Sequence, residues 1–157
     1  MEVRAPESRS DTHDRQHESS NPTPQPLPIS AHEPLTRYVT DSDYLGKRSP
    51  TTVHWRAFRP KPDEAELSIA RITELTSEQV WHLGDAMAAG PSGRTVVGRA
   101  DFGPTDVRSA RVNSYRLDAV QNEPPVRHAL IVGWPADGDA RKTLAMLLAA
   151  ASAQVRR

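Results

Sequence analysis

The sequence predicts a small single domain of the α+β or α/β class, with about four to five strands and three helices, preceded by a disordered tail. The first observation is the apolar run Ala129–Val132, which is bounded by Pro124 and Gly133 and is typical of a strand buried on both faces. The second is the segment after it, where leucines and alanines recur at the spacing of an amphipathic helix. The predicted element order is β-β-α-β-α-β-β-α.

Three regions divide the chain. Residues 1–34 contain six prolines among polar residues, and we predict a disordered Pro-rich tail because they cannot offset their ordering entropy. Residues 35–50 are predicted to be a transitional linker, with Tyr38 and Leu45 available to dock on the domain. Residues 51–157 are the predicted α/β globular domain.

The first half of that domain begins with alternating apolar and polar residues. Thr51–Phe58 has the period of a strand, and Leu67–Ile72 reads as a second, shorter strand. Thr76 and Gln79 have the spacing of a capping box, which opens a helix that Gly90 closes.

The second half continues with shorter segments. Arg94–Ala100 is predicted to be the third strand, Pro104 starts a short helix, and Val112–Val120 is the fourth strand. The strand Arg127–Val132 comes next. Asp137 or Asp139 then caps a helix that runs to about residue 154, with one apolar stripe formed by Leu144, Leu147, Leu148, Ala151 and Val155.

Composition excludes several classes of protein. The chain has no cysteine, so disulfides, thiol nucleophiles and Cys-based zinc sites are ruled out. It has no apolar run of about 18 residues and no apolar leader at its N-terminus, so we expect a cytoplasmic protein without a membrane span. Basic and acidic residues number 20 each, a balance that disfavours nucleic acid as a partner. No dinucleotide-binding or phosphate-loop motif is present, so no cofactor is expected.

The candidate catalytic residues are His54 and His128, with the arginines Arg56, Arg59 and Arg127 beside them. Both histidines lie on predicted strands, and two imidazoles with flanking guanidinium groups can perform acid–base chemistry on a phosphodiester. The structural alternative is that each histidine is half-buried and bonded to a carbonyl. Neither histidine belongs to a His-x-Ser/Thr triplet, the repeated motif of enzymes that cut phosphodiesters with two histidines.

A second set of basic residues raises the possibility of a nucleic-acid patch, which would give salt-dependent affinity. Aspartates alternate with these arginines along the chain, which favours a mixed solvated surface instead. The set is Arg94, Arg99, Arg108, Arg111 and Arg116.

The chain resembles known sequences in three short motifs: Phe58-Arg59-Pro60, Leu67-Ser68-Ile69-Ala70-Arg71 and His128-Ala129-Leu130-Ile131. In this order they resemble a group of short uncharacterised bacterial proteins, over about residues 54 to 150. The resemblance implies no reaction.

The leading hypothesis is a small cytoplasmic, non-enzymatic module that interacts with or regulates another protein. The alternative is a small toxin-like nuclease or phosphoryl-handling enzyme that uses His54 and His128 with the neighbouring arginines. Neither hypothesis requires a metal or cofactor, and the oligomeric state is left open.

Overall fold

A computed structural model describes residues 25–47, 52–90 and 93–157 as a small α+β domain around one antiparallel sheet. The strands and helices are, in chain order, β1 (Leu35–Val39), β2 (Leu67–Arg71), α1 (Ser77–Ala88), β3 (Gly98–Phe102), α2 (Pro104–Ser109), β4 (Arg111–Val112), β5 (Tyr115–Arg116), β6 (Asp118–Gln121), β7 (His128–Val132), α3 (Gly138–Ala151) and β8 (Ala153–Arg156). The sheet has the strand order β6-β7-β2-β1-β3-β8, and β4 pairs with β5 as a separate hairpin.

The main core lies between one face of the sheet and α3. Leu144 and Leu148 of the predicted apolar stripe are fully buried in this core, whereas Leu147 and Ala151 are exposed. The helix ends at Ala151 and not near residue 154, so Val155 belongs to β8. A 3-10 turn, Trp55–Phe58, packs against the same helix, and its Phe58 ring meets the edge of Phe102 in β3 at 5.3 Å between centroids. This packing holds in place the segment that carries Arg56 and Arg59.

Helix α1 packs on the opposite face of the sheet. Tyr38 alternates along β1 with the buried Val39, so its side chain points away from α3. Its hydroxyl donates to the carbonyl oxygen of Val80 at 2.6 Å, and burial raises the pKa of this phenol. A Cβ on Gly84 would overlap the Tyr38 ring, so a larger residue at this position in α1 requires the ring to shift.

Local hydrogen bonds confirm the predicted starts of α1 and α3. The Thr76 hydroxyl accepts from the backbone N–H of Gln79, and the Gln79 side chain accepts from the backbone N–H of Thr76. Asp137, one of the two predicted caps of α3, accepts from the backbone N–H of Ala140 at 2.7 Å.

The structure corrects the expected strand inventory. The sheet has six strands where four to five were predicted, and every pairing is antiparallel. In the described part of the predicted strand Thr51–Phe58, residues 52–58, there is one β-bridge, at Val53, followed by the 3-10 turn. The predicted strand Val112–Val120 divides into β4, β5 and β6, because Asn113 adopts φ 53° and turns the chain back.

The boundaries of the domain also differ from the expected ones. Strand β1 lies in the interior of the sheet, inside the region predicted to be a linker. Within the region predicted to be a tail, Pro28 bridges to Val120 of β6, and Ile29 is buried. The tail prediction for residues 1–24 falls outside the described residues.

Strand β7 is buried on one face, whereas the sequence predicted burial on both. Ala129 and Ile131 are fully buried in the main core, and the alternating residues His128, Leu130 and Val132 are half-buried. Helix α1 packs near Tyr38, two strands away, so the second face of β7 is only partly covered.

Candidate functional site

A cleft of about 600 Å³ opens between the end of β1 and the 3-10 turn. Five cationic side chains line it: Arg37, Arg56, Arg59, Lys61 and Arg94. Among the described residues of its lining, Asp41 is the one carboxylate. We call this surface the basic cleft, and its excess of positive charge makes it a candidate anion-binding site.

Arg37 forms the inner wall of the basic cleft. Its Nε donates to the carbonyl oxygen of Ala57 at 3.1 Å, and its Nη1 donates to the carbonyl oxygen of Ser68 at 2.7 Å. Desolvation lowers the pKa of Arg37 to about 10, and the negative charge of Glu64 opposes this shift. Carbonyl dipoles therefore hold the guanidinium, and the described residues place no carboxylate within the 4.0 Å of an ion pair.

The 3-10 turn positions the outer arginines. His54 Nδ1 accepts from the backbone N–H of Arg56 at 3.2 Å, which caps the turn. Burial of Ala57 and Phe58 anchors it to the core. The positions on either side, Arg56 and Arg59, remain exposed at the cleft.

Three cations surround the ring of Trp55. Arg56 lies 5.6 Å from the ring centroid, Arg59 lies 5.5 Å away, and the ammonium of Lys142 lies 5.4 Å away. These distances fall within the range of cation–π attraction. Cation–π attraction to the Trp55 indole therefore keeps positive charge beside the cleft, and the ring already has cation partners within the protein.

Arg141 ties the neighbouring loop to α3. This largely buried residue donates from Nε to the carbonyl oxygen of Pro135 and from Nη1 to the carbonyl oxygen of Lys61, at 2.5 and 2.9 Å. The second bond holds the backbone at Lys61. The Lys61 ammonium pairs with Glu64 at 3.2 Å in an exposed pair, so Lys61 contributes less net charge than the arginines do.

The structure does not bring His54 and His128 together. The turn that follows His54 packs on the α3 face of the sheet, whereas His128 alternates with buried Ala129 and lies on the α1 face. The backbone N–H of His54 donates to the carbonyl oxygen of Tyr44, and the neighbouring Leu45 lies against Gly98 of β3. Strand β7 is three strand spacings, roughly 14 Å, from β3. The two histidines line different pockets, His54 beside Leu45 and Val53 and His128 beside Ser68 and Leu130.

His128 has its own hydrogen-bond partners. Its Nε2 lies 2.7 Å from the Ser68 hydroxyl oxygen, and its Nδ1 lies 2.9 Å from the carbonyl oxygen of Asn122. These bonds join β2, β7 and the loop after β6. Arg37 contacts the carbonyl of Ser68 and not its hydroxyl, so the hydrogen-bonded pair of Ser68 and His128 is separate from the basic cleft.

Arg127 also lies apart from the basic cleft. It adopts φ 69°, and its Nη1 donates to the carbonyl oxygen of Thr73 at 2.9 Å. The pocket that it lines contains the carboxylates of Glu33, Glu74 and Glu123. Of the five predicted catalytic residues, the structure therefore places Arg56 and Arg59 in one site.

Two arginines of the second predicted set form ion pairs with aspartates. Arg99 pairs with Asp101 at 3.1 Å, and Arg108 pairs with Asp118 at 2.9 Å. Arg94 is the member of the set that lines the basic cleft. The alternation of charges in the sequence thus corresponds to real ion pairs at two of the five positions.

The sequence did not identify Arg37 and Lys61 as site residues, and it did not predict that Arg94 lines the same cleft as Arg56 and Arg59. One signal was available for Arg37, because it alternates with Leu35 and Val39, the apolar positions of a strand. A cation on the core side of a strand needs polar partners or a ligand. That signal was hidden because the segment was predicted to be a linker.

No protein-family model, curated protein or solved structure matches the chain. In the part of the chain that the structure describes, no helix meets the length and hydropathy of a membrane span. The same residues contain no group of three or more side chains suited to hold a metal ion.

Proposed function

We propose that this chain is a cytoplasmic, non-enzymatic interaction module that binds an acidic segment of a partner protein in the basic cleft. One observation carries the proposal. Arg37, Arg56, Arg59 and Arg94 line a single cleft, and no carboxylate of the described residues lies within 4.0 Å of their guanidinium nitrogens.

The chemistry of the guanidinium group supports a carboxylate ligand. Its fixed fork of N–H donors matches a carboxylate in bidentate geometry, and such charge-assisted hydrogen bonds are roughly twice as strong as neutral ones. Desolvation of a cation is unfavourable, and at Arg37 the negative charge of Glu64 offsets only part of this cost. An acidic ligand supplies a negative charge next to Arg37, and the attraction is strongest where the guanidinium is most buried.

A peptide is favoured over a nucleic acid by the surroundings of the cleft. The Trp55 ring already has three protein cations within 5.6 Å of its centroid, and these compete with a base for the ring. Arg99 and Arg108 are paired with aspartates, so the positive charge does not extend as a stripe along the surface. The formal net charge of the chain is zero.

A phosphoryl-handling enzyme is not favoured, because it requires His54 and His128 to act on one substrate and the two histidines line different pockets.

The test is fluorescence anisotropy with a labelled peptide of aspartate, glutamate and serine, titrated with the full chain. Arg59→Gln is expected to weaken binding about three- to tenfold, the effect of losing about 0.7–1.4 kcal/mol of charge-assisted bonding. Arg116→Gln is the matched control, since it removes the same charge at an exposed position on β5 outside the cleft. Added salt should weaken binding to the wild type.

Two results would overturn the proposal. One is the absence of saturable binding at low salt. The other is an equal loss of affinity in Arg59→Gln and Arg116→Gln, which would mean that only the overall charge of the chain matters. A peptide with phosphoserine in place of aspartate separates the two sources of negative charge, because tighter binding of that peptide would identify phosphate as the preferred anion.

A further inference from the structure

Strands β1 and β2 separate after a short stretch of pairing. Their register contains two pairs, Leu35 with Arg71 and Thr36 with Ala70, whereas β1 and β3 form five pairs. Beyond Thr36 the Arg37 guanidinium reaches the carbonyl oxygen of Ser68, at a place where the ladder would have continued. The sheet is therefore open between β1 and β2.

This opening forms a cavity of about 280 Å³ under α1, which we call the strand gap. Its apolar lining comes from Tyr38, Ile69, Gly84, Met87 and Ala88. The volume lies below the roughly 300–1,000 Å³ of small-molecule sites and suits a single side chain.

The strand gap and the basic cleft are neighbours. Arg37, Tyr38, Thr40 and Arg94 line both. An extended segment whose carboxylates contact the arginines can therefore direct an adjacent side chain into the apolar cavity. Successive side chains of an extended peptide point to opposite sides, so one side chain can contact the arginines while the next enters the cavity.

We infer that the strand gap receives one aliphatic side chain of the acidic segment bound in the basic cleft; this inference rests on the proposed function. The partner is then an acidic peptide with a leucine-like anchor beside its carboxylates. Charge complementarity at Arg37 and Arg94 selects the segment, and the apolar walls select the anchor.

The walls of the strand gap are formed before any ligand binds. The Tyr38 ring lies against Gly84 and is held by its bond to the carbonyl oxygen of Val80. Met87 is half-buried on the same helix, and its unbranched thioether adapts to the shape of an aliphatic group. A preformed cavity lowers the entropic cost of binding an anchor.

The test compares two labelled acidic peptides that differ only by leucine or serine at one central position. Against the full-length wild type, the leucine peptide is expected to bind about tenfold more tightly. Met87→Gln should remove most of this difference and leave the serine peptide unchanged. Ala86→Gln, at an exposed position of α1, is the matched control and should preserve the difference.

The outcomes separate this inference from the proposed function. Equal affinity of the two peptides for the wild type would overturn the anchor and leave the acidic-segment proposal intact. A tenfold preference that survives in Met87→Gln would also overturn it, because the anchor would then bind elsewhere. If neither peptide binds the wild type, the proposed function fails and this inference fails with it.

Discussion

At the scale of single residues, Arg37 shows how one side chain can serve both fold and site. It shares a face of β1 with Leu35 and Val39, which are buried in the core. Its guanidinium leaves that face and bonds to carbonyls of the 3-10 turn and of β2. The cleft thereby gains a positive charge whose position is fixed by backbone groups and not by a carboxylate.

Gly84 gives a prediction at this scale. Gly84→Ala should lower the free energy of unfolding by about 1–2 kcal/mol, because the new methyl displaces the Tyr38 ring and strains its bond to Val80. The higher helix propensity of alanine offsets part of the loss. Gly90→Ala is the control, since a Cβ there meets nothing within 4 Å. Urea unfolding of both variants checks the prediction, and equal effects would contradict it.

At the scale of elements, the signals that the sequence carries are local. The capping box at Thr76 and the cap at Asp137 were predicted because each depends on residues three positions apart. The alternation in Thr51–Phe58 predicted a strand, but His54 caps a 3-10 turn and the described residues 52–58 make one bridge, at Val53. Pairing partners decide whether alternation becomes a strand, and those partners are distant in the chain.

The N-terminal segment gives a prediction at the scale of elements. Deleting residues 1–34 should lower the free energy of unfolding by at least about 2 kcal/mol, since it removes the buried Ile29 and the Glu33–Arg71 pair. Deleting residues 1–24 preserves these contacts and is the matched control. Denaturant unfolding of both truncated chains measures the effect. Equal stability would show that the segment before β1 contributes nothing to the domain.

At the scale of the whole molecule, the sequence predicted the fold class but not the order of the strands in the sheet. Apolar periodicity predicted three helices and a sheet, and the structure has both. The interior position of β1 and the edge strand β8 depend on pairings between distant segments, such as Arg99 with Val155. The basic cleft was hidden for the same reason, because Arg37, Arg59 and Arg94 are far apart in sequence.

Net charge also conceals the site. The chain carries equal numbers of basic and acidic residues. Ion pairs at Arg71, Arg99 and Arg108 take up carboxylates on other parts of the surface. Four arginines without a carboxylate within 4.0 Å among the described residues line the cleft, where together they can attract an anion despite the overall balance.

Amide chemical shifts, measured by NMR while the aspartate–glutamate peptide is added to the full-length protein, test the central claim most directly. We predict that the shifts are concentrated in residues 37–41 and 55–61 and at Arg94, and that they saturate. The hairpin Arg111–Arg116, which also carries exposed arginines, should not respond. Shifts centred on that hairpin, or weak shifts at every arginine, would contradict the account.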